Sequence, residues 1–145
     1  MKKMQNMSGF FVAAVTPFDE AGKFSASALH KLMDKTIAEG AKGFLIGGSS
    51  AECPLLTHAE RVEGLEAAAK YRDRAKTKLI ASVAAISTDE AVEYAKTAKE
   101  LGYDAMISTV PYYYKFGMKA ISEYYNTLRE TVDLPLFLYN FPGNT

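Results

Sequence analysis

Apolar residues along this chain alternate between two patterns. Short unbroken runs occupy residues 9–16 (GFFVAAVT), 43–47 (GFLIG), 78–83 (KLIASV), 104–110 and 136–139 (LFLY). Their length and composition are those of strands buried on both faces. Between the runs, apolar residues recur every three or four positions. Leu29, Leu32, Met33 and Ile37 share one helical face, with Ser25 placed to cap the start and Gly40 to end it. THAE from Thr57 and STDE from Ser87 have the capping-box pattern, which predicts helices over 57–70 and from 87 to about 102. A fourth helix is predicted over 118–132, with Ile121, Tyr124, Tyr125 and Leu128 on one face.

The order is strand–helix four times, then one more strand. Strict alternation with short connections implies right-handed crossovers and a parallel sheet. Two α/β architectures have this order: a doubly wound open sheet and a (β/α)8 TIM barrel. The first calls for a glycine fingerprint after strand one, but that stretch reads TPFDEAGKF, with one glycine. In the barrel, function gathers in the loops after the strands, and here those are the long and unusual ones. A barrel takes about 250 residues. The 145 residues here predict an incomplete barrel of five parallel strands and four helices, its N-terminal part, as a single unit over 1–145. The last strand reads as though a neighbour should follow it, so the chain is expected to be cut short.

Composition narrows the function classes. With 48% hydrophobic and 23% charged residues the chain can build a core. Seventeen basic and seventeen acidic residues cancel, leaving no basic stripe for nucleic acid or for a polybasic membrane contact. No apolar run nears the roughly 18 residues of a membrane span, and MKKMQNMSG lacks the hydrophobic stretch of a secretory signal. Cys53 is the sole cysteine, which excludes an internal disulfide and fits a reducing, cytoplasmic setting. His30 and His58 lie in different helices with no cysteine partner at metal-site spacing, so neither a metal nor a cofactor is expected.

Three loops carry candidate chemistry. GGSSAECPLL follows strand two: Gly48 allows close backbone approach, and Ser49 and Ser50 offer hydroxyl and amide donors, suited to a small carboxylate or phosphate. A tight turn without a ligand fits the same letters equally well, and no helix is expected directly after the serines. PYYYKFG follows strand four; its tyrosines suit proton transfer or substrate contact, while interface packing is the expectation for Tyr112 and Tyr114. Tyr139 ends strand five on the functional face, as a catalytic group would, or as a satisfied core tyrosine would. Glu52 is expected to accept backbone amides in its turn rather than act as a base.

GGSSAE, PYYY and YNFP, with VTPF near the start, together resemble the pyruvate-dependent class I aldolases of the dihydrodipicolinate synthase / N-acetylneuraminate lyase family. The resemblance covers residues 9–145. It implies an eight-stranded β/α barrel, a homo-oligomer (dimer or tetramer), and a lyase or aldolase that joins pyruvate, held as a lysine Schiff base, to an aldehyde or releases it from a sugar acid. It implies that Gly48, Ser49 and Ser50 bind the pyruvate carboxylate and that Tyr139 relays protons. Tyr113 would be the tyrosine that reaches across a dimer into a neighbour's site. Ala51 stands where the family usually has glycine, and would be strained if its φ were positive. Asn144 stands where the synthases carry an arginine for a dicarboxylate substrate, which favours a sugar-acid lyase over 4-hydroxy-tetrahydrodipicolinate synthase. The Schiff-base lysine would lie on the strand after that of Tyr139, beyond Thr145. Of the lysines present, only Lys23 and Lys115 are expected on the functional face, solvated and protonated. A non-catalytic remnant that binds small carboxylates or pairs with other barrel subunits is the alternative for the chain by itself.

Overall fold

The computed structural model describes residues 6–75 and 77–143. Its strands are β1 (Phe11–Ala13), β2 (Gly43–Ile46), β3 (Lys78–Ser82), β4 (Ala105–Ser108) and β5 (Leu136–Leu138). Its helices are α1 (Ala26–Ala38), α2 (His58–Ala75), α3 (Thr88–Glu100) and α4 (Met118–Thr131). The strands form one parallel sheet in the order β1-β2-β3-β4-β5. A doubly wound sheet reverses its strand order at a switch point. Here each strand is laid outside its predecessor, as in the wall of a β/α barrel.

Local chemistry sets the helix ends. Ser25 Oγ accepts from the Ala28 amide at 3.3 Å and caps α1, and Gly40, at φ +102°, closes it. At α2 the capping box is complete: the Thr57 amide donates to Glu60 Oε2 at 2.8 Å, and the Glu60 amide returns a bond to Thr57 Oγ1 at 3.3 Å. At α3 it is half made. Ser87 Oγ accepts from the Glu90 amide at 3.2 Å, but the Glu90 carboxylate accepts from the Tyr94 hydroxyl at 2.8 Å instead of turning back to the cap. Helix α2 runs to Ala75, past the predicted end at 70. The continuation is anchored by Tyr71, which is buried, lies against the His30 ring and donates to Asp34 of α1.

The core lies between the sheet and the helices. Phe44, Leu79, Ala81 and Met106 from the strands meet Leu29, Met33, Leu65, Ala68 and Leu128, all buried. Helix α3 contributes Ala91, Ala95 and Ala98, each wholly inaccessible; small side chains let its backbone sit close to the sheet. Gly43 is required where β1, β2 and β3 converge. A Cβ there would stand 2.4 Å from the Phe11 ring and 2.5 Å from the Lys78 carbonyl oxygen.

The edge strands are shorter than the sequence runs predict. β1 covers only Phe11–Ala13, with Phe10 and Val15 exposed, because only β2 supplies it with hydrogen-bond partners. In β5, Leu138 is 63% exposed, so that strand is not buried on both faces as its composition suggests. Among the described residues no helix is long and apolar enough to cross a membrane.

Candidate functional site

A cavity of about 390 Å³ opens at the carboxyl ends of β2 to β5. Its walls come from the loop after β2 (Gly48, Ser49, Cys53, Pro54), from the ends of β3 and β4 (Ser82, Ser108, Thr109, Tyr112), and from the segment after β5 (Tyr139, Phe141). No charged side chain among the described residues lines it.

The loop after β2 owes its shape to its glycines. Gly47 turns the chain at φ +72°, a region that disfavours any Cβ. Gly48 is buried, and a Cβ there would press to 3.2 Å on Leu45. A single 3-10 turn, Ser49–Ala51, follows directly, and a second occupies Cys53–Leu55. As expected, no α-helix starts directly after the serines, since α2 begins only at His58; the serines sit in the tight turn itself, where the Gly48 carbonyl collects the Ala51 amide at 3.1 Å and the Cys53 amide at 3.4 Å, curling the loop back. Ala51 is buried in this turn and does not carry the positive φ; Glu52 does, at φ 57°. Strain expected at Ala51 therefore falls one residue later. Thr16, in the loop after β1, donates to the Ala51 carbonyl at 2.9 Å and ties the two loops together.

The structure brings some of the expected residues together and separates others. Ser49 lines the cavity and Ser50 does not, though both are exposed and neither hydroxyl is bonded among the described residues. Tyr139 lines it from the far side, its amide held by the Ser108 carbonyl at 2.8 Å and its ring stacked on Phe141 at 5.4 Å. Tyr113 lies outside the cavity: it is 82% exposed, edge-on to Tyr114, with φ 85°. Tyr112, expected at an interface, lines the cavity instead, and its partial burial pushes its phenol pKa up. The positive φ at Tyr113 explains the exchange, since the turn there sends one ring inward and the next outward. Glu52, whose side chain was expected to accept backbone amides, is exposed and its carboxylate accepts no hydrogen bond among the described residues, while its carbonyl takes the Leu55 amide at 2.8 Å.

Other lining groups escaped the sequence reading. Ser82 and Ser108 are the last residues of β3 and β4, so a serine closing an apolar run was the signal available. Ser108 is fully buried; its Oγ donates to the Thr109 carbonyl at 2.7 Å and takes the Tyr124 hydroxyl at 2.7 Å. Burial pushes Tyr124 up to about 12, with the Ser108 bond working against that shift. Cys53 forms part of the wall as a buried free thiol, pushed up by burial and partly offset by the Arg61 charge.

Among the described residues no lysine lines this cavity. Lys115 lines a second one, of about 480 Å³, that shares the Tyr139 ring as a wall, and Lys23 is exposed in the loop after β1. Lys2, Lys3, Lys76 and Asn144 lie outside the described residues. Among the described residues no group of three His, Cys, Asp or Glu side chains is placed to hold a metal ion.

Residues 6–145 match the dihydrodipicolinate synthetase family. The chain is 37% identical to 4-hydroxy-tetrahydrodipicolinate synthase of Lactococcus lactis, across 99% of this chain and 48% of that protein. It is 34% identical to N-acetylneuraminate lyase of Escherichia fergusonii, across 95% and 46%. The crystal structure of dihydrodipicolinate synthase from Acinetobacter baumannii complexed with pyruvate superposes with a TM-score of 0.90 at 34% identity, covering 97% of this chain and 48% of that one. The chain spans about half the length of the curated relatives it matches.

Proposed function

The chain belongs to the dihydrodipicolinate synthetase family and has the fold of the N-terminal part of a β/α barrel; from that premise we propose that its cavity is the pyruvate site of a Schiff-base lyase or aldolase. The observation that carries the reading is the meeting of Ser49 and Tyr139 across one small, uncharged pocket at the carboxyl ends of the strands. Ser49 would donate to the pyruvate carboxylate, a charge-assisted bond that an unpartnered hydroxyl is free to make. Tyr139 would move protons to and from the imine and the substrate oxygen, a role that needs a hydroxyl within hydrogen-bond reach of the reacting atoms. Ser50 would act from the rim and Tyr113 in a neighbouring subunit of a dimer or tetramer. The imine-forming lysine would come from the strand that follows β5 in the family.

Two relatives with different names match almost equally well, so similarity does not choose the aldehyde. Asn144 in the arginine position of the synthases favours a sugar-acid substrate, because an amide cannot give a carboxylate the bidentate grip of a guanidinium. For the 145 residues alone, the absence of a lysine from the described cavity favours carboxylate binding without catalysis.

Borohydride reduction in the presence of pyruvate, read by intact mass, tests the proposal. A protein extended through the next strand should gain one reduced pyruvyl adduct on a lysine beyond residue 145, and the 145-residue chain should gain none. In the extended protein Ser49→Ala should weaken pyruvate binding by about 1.5–3 kcal/mol, and Tyr139→Phe should chiefly lower turnover. An adduct on Lys23 or Lys115, or normal turnover in Tyr139→Phe, would overturn the assignment.

A further inference from the structure

We infer that Arg61, buried behind the cavity wall, supplies the positive charge by which this otherwise neutral pocket selects anionic ligands. Arg61 lies in the first turns of α2 and is 6% exposed. One guanidinium nitrogen donates to the carbonyl of Ser82, a lining residue, at 3.3 Å. The guanidinium carbon sits 3.8 Å above the centre of the Tyr94 ring. No carboxylate lies within ion-pair distance of it among the described residues. Buried arginines are ordinarily neutralised, because an unpaired charge in a low-dielectric interior is costly. An unneutralised one projects its field into whatever lies nearby, and here that is a cavity lined, among the described residues, by no charged side chain.

The carboxylates around it are engaged elsewhere. Glu90 accepts from the Tyr94 hydroxyl and is only partly buried, Glu60 is taken up by the cap at Thr57, and Glu93 faces His58 at 3.9 Å. Burial raises both the Cys53 thiol and the Tyr112 phenol, in different walls of the cavity, and the Arg61 charge reaches each and partly offsets that rise; at Tyr112 the Glu90 carboxylate works the other way. Arg61 touches no ligand in this arrangement. It is a positioning residue that acts through its field and through the strand end it holds. The inference deepens the proposed function and rests on it for the identity of the ligand, but the charge effect can be read without pyruvate.

Cys53 makes the measurement possible, being the only thiol in the chain and part of the cavity wall. Anionic iodoacetate and neutral iodoacetamide both react with the thiolate, so the ratio of their rates cancels the thiol pKa and reports the local potential. In the folded chain that ratio should be about three- to tenfold higher for wild type than for Arg61→Gln, and Arg61→Lys, which keeps the charge but not the fork, should retain it. Equal ratios in wild type and a folded Arg61→Gln would overturn the inference. So would an Arg61→Lys that falls to the glutamine value, since that result would mark a purely structural peg. If Arg61→Gln does not fold, wild type is compared with its own urea-unfolded state, and a ratio no higher in the folded form overturns the inference. Pyruvate binding, measured separately on the extended protein, reports on the proposed function: its loss in wild type would sink that reading and leave the reagent ratio to decide this one.

Discussion

At Glu52 a side chain occupies backbone that suits glycine, separated only by Ala51 from the glycine pair and two serines of the same loop. Left-handed φ costs a residue with a Cβ about 1–2 kcal/mol, and the exposed Glu52 carboxylate returns no hydrogen bond within the described structure. Glu52→Gly should therefore stabilise the chain by up to about 1 kcal/mol in urea unfolding, after the extra freedom of glycine in the unfolded state is subtracted. Ala51→Gly should destabilise by a similar amount because Ala51 is buried with ordinary φ. The reverse order of the two variants would refute this account. Individual residues were unevenly legible in the sequence. Ser49 and Tyr139 could be read because each closes or follows an apolar run on the functional face. Tyr112 and Tyr113 could not be told apart, since their opposite directions depend on a single backbone torsion that no pattern of letters encodes.

The elements were the most legible level, because burial on a period of 3.6 and hydroxyl–carboxylate capping both leave their marks in the sequence. Helices α1 to α4 occur where predicted, and the main error, the end of α2, came from Tyr71. A tyrosine beyond Lys70 reads as a boundary residue until its partners His30 and Asp34 on α1 are known. The complete capping box at α2 has a pH signature. Glu60 is held below the usual carboxylate range, first by the Thr57 amide and then by the Thr57 hydroxyl. A depressed carboxylate pKa contributes stability above its unfolded value, about 4.3, and loses it as pH falls through the folded value. Glu60→Gln should therefore melt below wild type at pH 7, and the difference should narrow as pH falls below about 4.3. A gap of constant size across that range in calorimetric scans would show that the amide bonds, and not the charge, do the capping.

For the whole molecule, the sequence conveyed the parallel α/β alternation and the end of the sheet at which the candidate cavity opens. It conveyed neither the shape of the cavity nor the burial of Arg61, both of which arise from contacts between distant segments. The sheet presents two free edges, at β1 and β5, with Phe10 and Leu138 exposed beside them. Unpaired strand edges flanked by apolar side chains invite pairing with further strands. The 145-residue chain should accordingly associate as its concentration rises, which light scattering coupled to chromatography would detect, and a monomer at millimolar concentration would contradict the expectation.

In the strand order β1-β2-β3-β4-β5 every strand pairs with the one made just before it, so on the ribosome each new strand and helix emerges to find its docking partner already in place. Among these five strands none has to wait for a distant one, as it would in a sheet whose middle strands come last. The loop bearing Ser49 is bonded to Thr16, synthesised earlier, so this link can form before α2 leaves the exit tunnel. Nested nascent chains released after α2, α3 and α4 should show protease protection advancing one strand–helix unit at a time. Protection that arrived all at once after α4 would mean that the sheet closes as a whole.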